Sequence, residues 1–199
     1  MNEVDPIRDP EDIEKMKEYL KEKSPRDYLM FVLGINSALR ISDLLSLQIK
    51  HVMELGGELK EKIHIREQKT NKEKKYRMSD SAKDAIRYYI DNINWKKYHG
   101  HWDIRPSDYL FASNREGHDP IDRTWAWRVI SDTADAVGID ENIGTHSLRK
   151  TWGYQARVNF GLDISIIMEK LNHDNPKTTK RYIGVLQKEV EEAETKVSL

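Results

Sequence analysis

The sequence predicts a mainly α-helical domain carrying one small antiparallel sheet of three strands, an α+β chain. Three observations carry that reading. Apolar residues recur at helical spacing before residue 48 and after residue 79. The stretch between them alternates roughly apolar and polar, as half-buried strands do. Gly56-Gly57 and Thr70-Asn71-Lys72 then supply the turns that fold this stretch into a meander.

The elements follow in order. Asp9 caps a first helix, Pro10 suits its first position, and Ile13, Met16 and Leu20 share one face. A second helix starts at Ser24-Pro25, where Asp27 completes a capping-box pattern ahead of the apolar run Tyr28–Ile35. Ser42 reads as the cap of a short helix bearing Leu44, Leu45 and Leu47. The predicted strands are Ile49–Val52, Lys62–Arg66 and Lys74–Met78. Ser79 or Asp80 caps a long helix to about Ile93, with Ala82, Ala85, Ile86, Tyr89 and Ile90 at helical spacing. Residues 94–121 form a polar connection broken by Tyr109-Leu110-Phe111. Helices are expected over Arg123–Val137, Leu148–Phe160 and Ile164–Leu171, with Trp125, Trp127 and Trp152 packed between helices. A turn at Asp174-Asn175-Pro176 leads to a last helix from about Thr178. Residues 183–199 make an acidic amphipathic tail with Leu186, Val190, Ala193 and Val197 on one stripe.

At 199 residues, 38% hydrophobic and 34% charged, the chain fits one domain spanning 1–199 that buries a real core. No apolar run approaches the roughly 18 residues of a membrane span, and the acidic, polar N-terminus is no signal peptide. The absence of cysteine excludes disulfides, thiolate metal sites and cysteine nucleophiles, and it suits a reducing cytoplasm. A net charge of −1 counts against a nucleic-acid partner. Yet residues 60–77 hold eight Lys/Arg against three Glu, while acid gathers at the two ends. Charge alone leaves the partner open.

Four short segments stand out: Ala38-Leu39-Arg40-Ile41-Ser42-Asp43-Leu44-Leu45, Gln68-Lys69-Thr70, His146-Ser147-Leu148-Arg149, and Leu171-Asn172-His173 followed nine residues later by Tyr182. Singly, each has a plain structural reading. An arginine can end a buried helix, a hairpin lysine is usually solvated, a histidine can close a helix, and a tyrosine can fill a core. His99, His101 and His118, with Asp103, match no ordinary zinc spacing and read as a polar surface connection.

Together and in this order, the segments resemble the tyrosine recombinase (phage integrase) family along nearly the whole chain. Leu39 to Leu47 resembles the family's Leu-Arg-x-Ser-Glu/Asp-Leu pattern, with Asp43 in the acidic slot. His146 to Arg149 is the family's His-x-Leu-Arg. Leu171-Asn172-His173 stands where it has Leu-Gly-His, and Tyr182 takes the nucleophile position. The departure is Asn172 in place of glycine, and asparagine tolerates the left-handed backbone better than most residues.

The resemblance implies the recombinase catalytic-domain fold and strand cleavage and rejoining through a 3′-phosphotyrosyl link. A tyrosine of ordinary acidity is about one-thousandth ionised at neutral pH, so its attack needs assistance. By resemblance, Arg40 and Arg149 clamp the non-bridging phosphate oxygens, a task suited to planar donors that keep their charge. Lys69 is then the general acid for the departing 5′ oxygen, His146 assists the tyrosine's proton transfer, and His173 donates to the phosphate. Asp43 supports the site, and the start of the helix at Ser147 aims its positive end at the phosphate. No metal or other cofactor is implied. The partner is double-stranded DNA, with self-association into a tetramer on it and no membrane involvement. Lys72, Lys74 and Lys75 are expected on the DNA backbone, where contacts position without reading sequence.

Several alternatives stay open at this level. The tail packs on its own domain or passes to a neighbouring protomer. The chain is a catalytic domain cut from a longer integrase, or a short stand-alone recombinase. A DNA-binding regulator that keeps the fold but rarely cuts, and a type IB topoisomerase-like activity, are the competing functions. The full set of six residues and the histidine pair favour the recombinase.

Overall fold

The computed structural model describes residues 4–69, 71–115, 118–185, 190–191 and 194–196. Its elements run α1 (Pro10–Lys23), α2 (Pro25–Ser37), α3 (Ile41–Leu45), α4 (Ile49–Val52), β1 (Lys62–Arg66), β2 (Glu73–Arg77), α5 (Asp80–Asn92), α6 (Trp95–His99), α7 (Arg123–Ala136), α8 (Thr145–Val158), α9 (Ile164–Leu171) and α10 (Pro176–Tyr182). The domain is mainly helical with a small antiparallel sheet.

Local chemistry sets most helix starts. The side chains of Asp9, Ser24, Ser79, Asp122, Asp163 and Asn175 each accept a backbone N–H in the first turn they precede. Pro10, Pro25 and Pro176 stand at first helical positions, where the missing N–H is harmless.

The sheet has two strands among the described residues, not three. β1 and β2 pair antiparallel from Lys62↔Arg77 to Arg66↔Glu73. The expected first strand, 49–52, is instead the short helix α4. Ile49 and Val52 are both buried; three residues apart, they share one face of a helix, whereas a strand would point them to opposite sides. The Gln48 N–H donates to His51 Nδ1 at 2.9 Å, and the N–H groups of Ile49 and Lys50 donate to Asp108 and Pro106 carbonyls. Their partners come from a loop, so no strand ladder is needed. One bridge, Met53↔Leu59, remains of the third strand.

Other boundaries move in ways that matter for the site. α3 begins at Ile41, so Ser42 lies inside it and Arg40 holds the capping position without a side-chain bond. α8 begins at Thr145, three residues before the expected start, which puts His146 in its first turn. The polar connection contains α6, capped by Asn94 and ended by Gly100 at φ 77°. Trp125 and Trp127 are exposed on α7 rather than packed between helices, while Trp152 is half-buried. Within the tail, Leu186, Ala193 and Val197 fall outside the described residues, and Val190 is exposed.

The core forms around α2, whose residues from Leu29 to Ile35 are all buried. Gly34 lets α8 come close: a Cβ there would lie 2.6 Å from Leu148 Cδ1. A second, smaller cluster joins Ile167, Leu171, Ile183 and Val185 to Ala38 and Tyr154. The ends of α2, α9 and α10 therefore meet beside α8. No helix among the described residues is long and apolar enough to cross a membrane.

Candidate active site

α2 ends at Ala38, whose backbone is left-handed at φ 56°. For a residue with a Cβ that conformation costs about 1–2 kcal/mol and persists only where surroundings enforce it. Here the enforcing partner is Arg149. Its Nη1 donates to the Ala38 carbonyl and its Nη2 to the Leu171 carbonyl at the end of α9. The guanidinium, buried in α8, thus ties two helix ends together.

Just past Ala38 the chain presents Arg40. Its Nη1 lies 2.9 Å from Glu67 Oε1, and that nitrogen makes no aligned hydrogen bond among the described residues. Glu67 follows β1 and is 2% exposed; it also accepts the Tyr76 hydroxyl at 2.8 Å. Asp43, 1% exposed, accepts the Gln68 N–H at 2.9 Å, and Gln68 Nε2 donates to the Ser42 carbonyl. These bonds pin the hairpin end, and with it Lys69, onto α3.

The histidines arrive from the other side. Ser147 Oγ accepts the Gly144 N–H at 3.0 Å and fixes the start of α8, with His146 exposed in that first turn. Partial desolvation, helped by the cations of Arg149, Lys150 and Arg123, pushes His146 below the usual histidine range. His173 follows Asn172, which closes α9 in the left-handed conformation at φ 52°. The Thr179 hydroxyl gives its one proton to the Asn175 carbonyl, so its 3.2 Å contact with His173 Nδ1 is one it accepts. That fixes the proton of the neutral ring on Nδ1.

Tyr182 ends α10. Its ring meets His173 edge-on, with centroids 5.0 Å apart and planes at 89°. Burial pushes its phenol above the ordinary value, while the Arg149 charge and hydrogen bond, and then Arg40, pull it back down. Lys150 Nζ sits 5.3 Å from the ring centroid and donates to the Val4 carbonyl. Nearby, burial with Arg149 and Lys74 at hand pushes Lys170 down to about 8, its ammonium lying over the rings of Tyr76 and Trp152.

Arg40, Lys69, His146, Arg149, His173 and Tyr182 all line one open pocket of about 610 Å³. Asp43 sits behind its wall. Lys72, Lys74 and Lys75 lie on the hairpin away from it, with Lys72 and Lys75 exposed. His99 is buried and stacks on Trp95 at 4.6 Å, and no metal-holding group of three His, Asp or Glu occurs among the described residues.

Two residues were not picked out from the sequence. Arg123 lines the pocket from the first turn of α7, where a cation opposes the helix dipole, and that misfit was the available signal. Glu67 continues the inward face of Ile63 and Ile65, and an acid on the buried side of a strand demands a partner.

A pocket with three guanidiniums, a lysine, two histidines and a tyrosine suits an anionic phosphoryl group. Residues 8–189 match the model of the phage integrase family. The chain belongs to that family. The integrase is 41% identical over 185 residues to "Probable integrase/recombinase YoeC" of Bacillus subtilis (strain 168), covering 93% of this chain and 92% of that one. Its fold superposes on the crystal structure of XerA recombinase with a TM-score of 0.72 at 22% identity, over 98% of this chain and 67% of the other. XerH site-specific recombinase, bound to its palindromic difH substrate after cleavage, gives 0.71 at 17% identity, over 98% and 53%. The integrase thus spans about half of the XerH chain. It is an enzyme of the tyrosine recombinase class.

Proposed function

We propose that this single domain cleaves and rejoins double-stranded DNA with Tyr182 as nucleophile. The Tyr182 oxygen bonds to the scissile phosphorus, the bond to the 5′ oxygen breaks, and the energy stays in a 3′-phosphotyrosyl link. A second 5′ hydroxyl reverses the step. Arg40 and Arg149 hold the non-bridging oxygens, and removing one such donor from a preorganised site costs about 10²–10³ in rate. Lys69 supplies the proton to the departing 5′ oxygen. His146 assists proton removal from Tyr182, and His173, once protonated, donates to the phosphate from Nε2. The start of α8 adds its dipole to the same charge.

The observation that carries the reading is the convergence of all six side chains on one pocket, with the Arg149 charge acting on the Tyr182 phenol. Asp43 acts through the hairpin it pins. Lys72, Lys74 and Lys75 stand on that hairpin as contacts to the DNA backbone. The likeness to XerH, a recombinase bound to its difH substrate, supports a DNA partner. Exchange between two duplexes needs four cuts, hence four protomers on DNA; the cysteine-free chain suits the cytoplasm.

The test incubates the protein with a labelled pool of randomised nicked duplexes. A denaturant-stable protein–DNA adduct should form, joined through the DNA 3′ phosphate, and should vanish in Tyr182→Phe. No adduct on any duplex sinks the proposal.

A further inference from the structure

We infer that Glu67 is the positioning residue of the arginine clamp, holding Arg40 in the orientation that meets the phosphate. The inference rests on the assignment of Arg40 to the scissile phosphate.

Arg40 is the less constrained of the two arginines. Arg149 is fixed by two backbone carbonyls, whereas Arg40 has Glu67 at 2.9 Å and, among the described residues, no aligned hydrogen bond on Nη1. A guanidinium on three flexible methylenes keeps one direction only if something fixes it. Glu67 can do so because it is itself immobile. It is 2% exposed, its backbone bonds with Lys72 and Asn71 close the hairpin end, and the Tyr76 hydroxyl occupies its carboxylate at 2.8 Å.

Burying a carboxylate is costly without close partners, and removing a partner leaves an uncompensated charge. Glu67 and Arg40 meet that condition for each other. The same carboxylate reaches Arg149: burial pushes that guanidinium down, and Tyr182, Tyr76 and Glu67 act against it. The anion paired with Arg40 therefore also acts on the Arg149 charge and moderates the repulsion between the two guanidiniums. Glu67 also lies two residues before Lys69, so the acid that orients Arg40 and the lysine at the pocket share one hairpin end. Displacement of a reacting group by about 1 Å can cost 10²-fold in rate, so loss of this hold should appear in turnover rather than in DNA affinity.

The experiment has two arms. On the free protein, ¹⁵N and ¹³C NMR of labelled arginine reads the Arg40 guanidinium. The wild type and Tyr182→Phe should give the same resolved, slowly rotating Nη signals, and Glu67→Gln should average them. On a sequence recovered from the randomised nicked pool, Glu67→Gln should slow adduct formation about 10- to 100-fold with apparent affinity within about twofold of wild type. Tyr76→Phe, which loosens the carboxylate but keeps its charge, should slow it several-fold; it decides the question if Glu67→Gln does not fold. Unchanged Arg40 signals in Glu67→Gln, or cleavage within twofold of wild type in the folded variants, overturns the inference. If the wild type forms no adduct, the assignment of the pocket fails instead, while the NMR arm still judges the pairing.

Discussion

Gly153 and Ile183 are in direct contact: a Cβ on Gly153 would lie 2.5 Å from Ile183 Cγ2. Gly153 is one turn past Arg149 on α8, and Ile183 immediately follows Tyr182. The pairing sets the depth at which the nucleophile sits against the helix that carries the clamp. Ile183 is fully buried, with Leu171 on the same side, so it has nowhere to retreat without moving the backbone.

Gly153→Ala should therefore act twice. Overpacking of this kind costs about 1–3 kcal/mol, visible as a lower thermal midpoint. Adduct formation should fall further than the stability loss explains, by about 10-fold or more, because Tyr182 shifts with Ile183. An alanine variant that melts lower but cleaves at the wild-type rate would show that the contact is packing alone.

Asn172 gives a second test at the other end of the pocket. Its left-handed backbone, φ 52° and ψ 53°, closes α9 and turns the chain into His173. Asn172→Gly should keep or slightly raise stability, since glycine enters this region without a Cβ penalty. Asn172→Val should lose about 1–2 kcal/mol and misplace His173. Equal denaturation midpoints for the glycine and valine variants would contradict this account.

How far the site was legible follows from what each residue does locally. Caps such as Asp9 and Ser24 are decided within three residues, and they stand as expected. α4 was misread because four residues are too few to fix a period, although Ile49 and Val52 share a face only in a helix, and a loop more than fifty residues away holds the segment through Asp108 and Pro106. The ordered motifs named the six pocket residues, since their spacing is a local matter. Glu67 and Arg123 belong to no such motif. Their meaning comes from Arg40 and Tyr76, or from the pocket wall, and only the folded chain brings those together.

The pH dependence of stability follows from His99. Burial pushes it down to about 4, with Asp108 opposing and His101 and His118 adding to the shift. In the unfolded chain the same group binds its proton near 6.5, so acid favours unfolding. Stability should be full above about pH 6.5 and decline as pH falls toward 4, by on the order of 3 kcal/mol for this residue. His51, His146 and His173 are shifted in the same direction and add to the slope. Urea denaturation between pH 4.5 and 7.5 measures it, and His99→Phe should flatten the curve. A variant with the wild-type slope would place the acid sensitivity elsewhere.

The last prediction separates Lys69 as proton donor from Lys69 as a simple phosphate contact. Its side chain is exposed at the hairpin end and lines the pocket, so both roles fit its position. A departing 5′ alkoxide needs a proton, and general acid catalysis typically contributes 10²–10⁴ in rate. A departing thiolate does not, because a thiol is far more acidic than an alcohol. Lys69→Ala should therefore cleave an ordinary nicked duplex at least about 100-fold slower than wild type. On a duplex carrying sulfur at the bridging 5′ position, the two proteins should cleave within a few-fold of each other. Arg40→Ala serves as the control: its role is to stabilise phosphate charge, so sulfur should not rescue it. If Lys69→Ala stays equally impaired on both substrates, its contribution is charge alone, and the proton must reach the leaving oxygen from another group in the pocket.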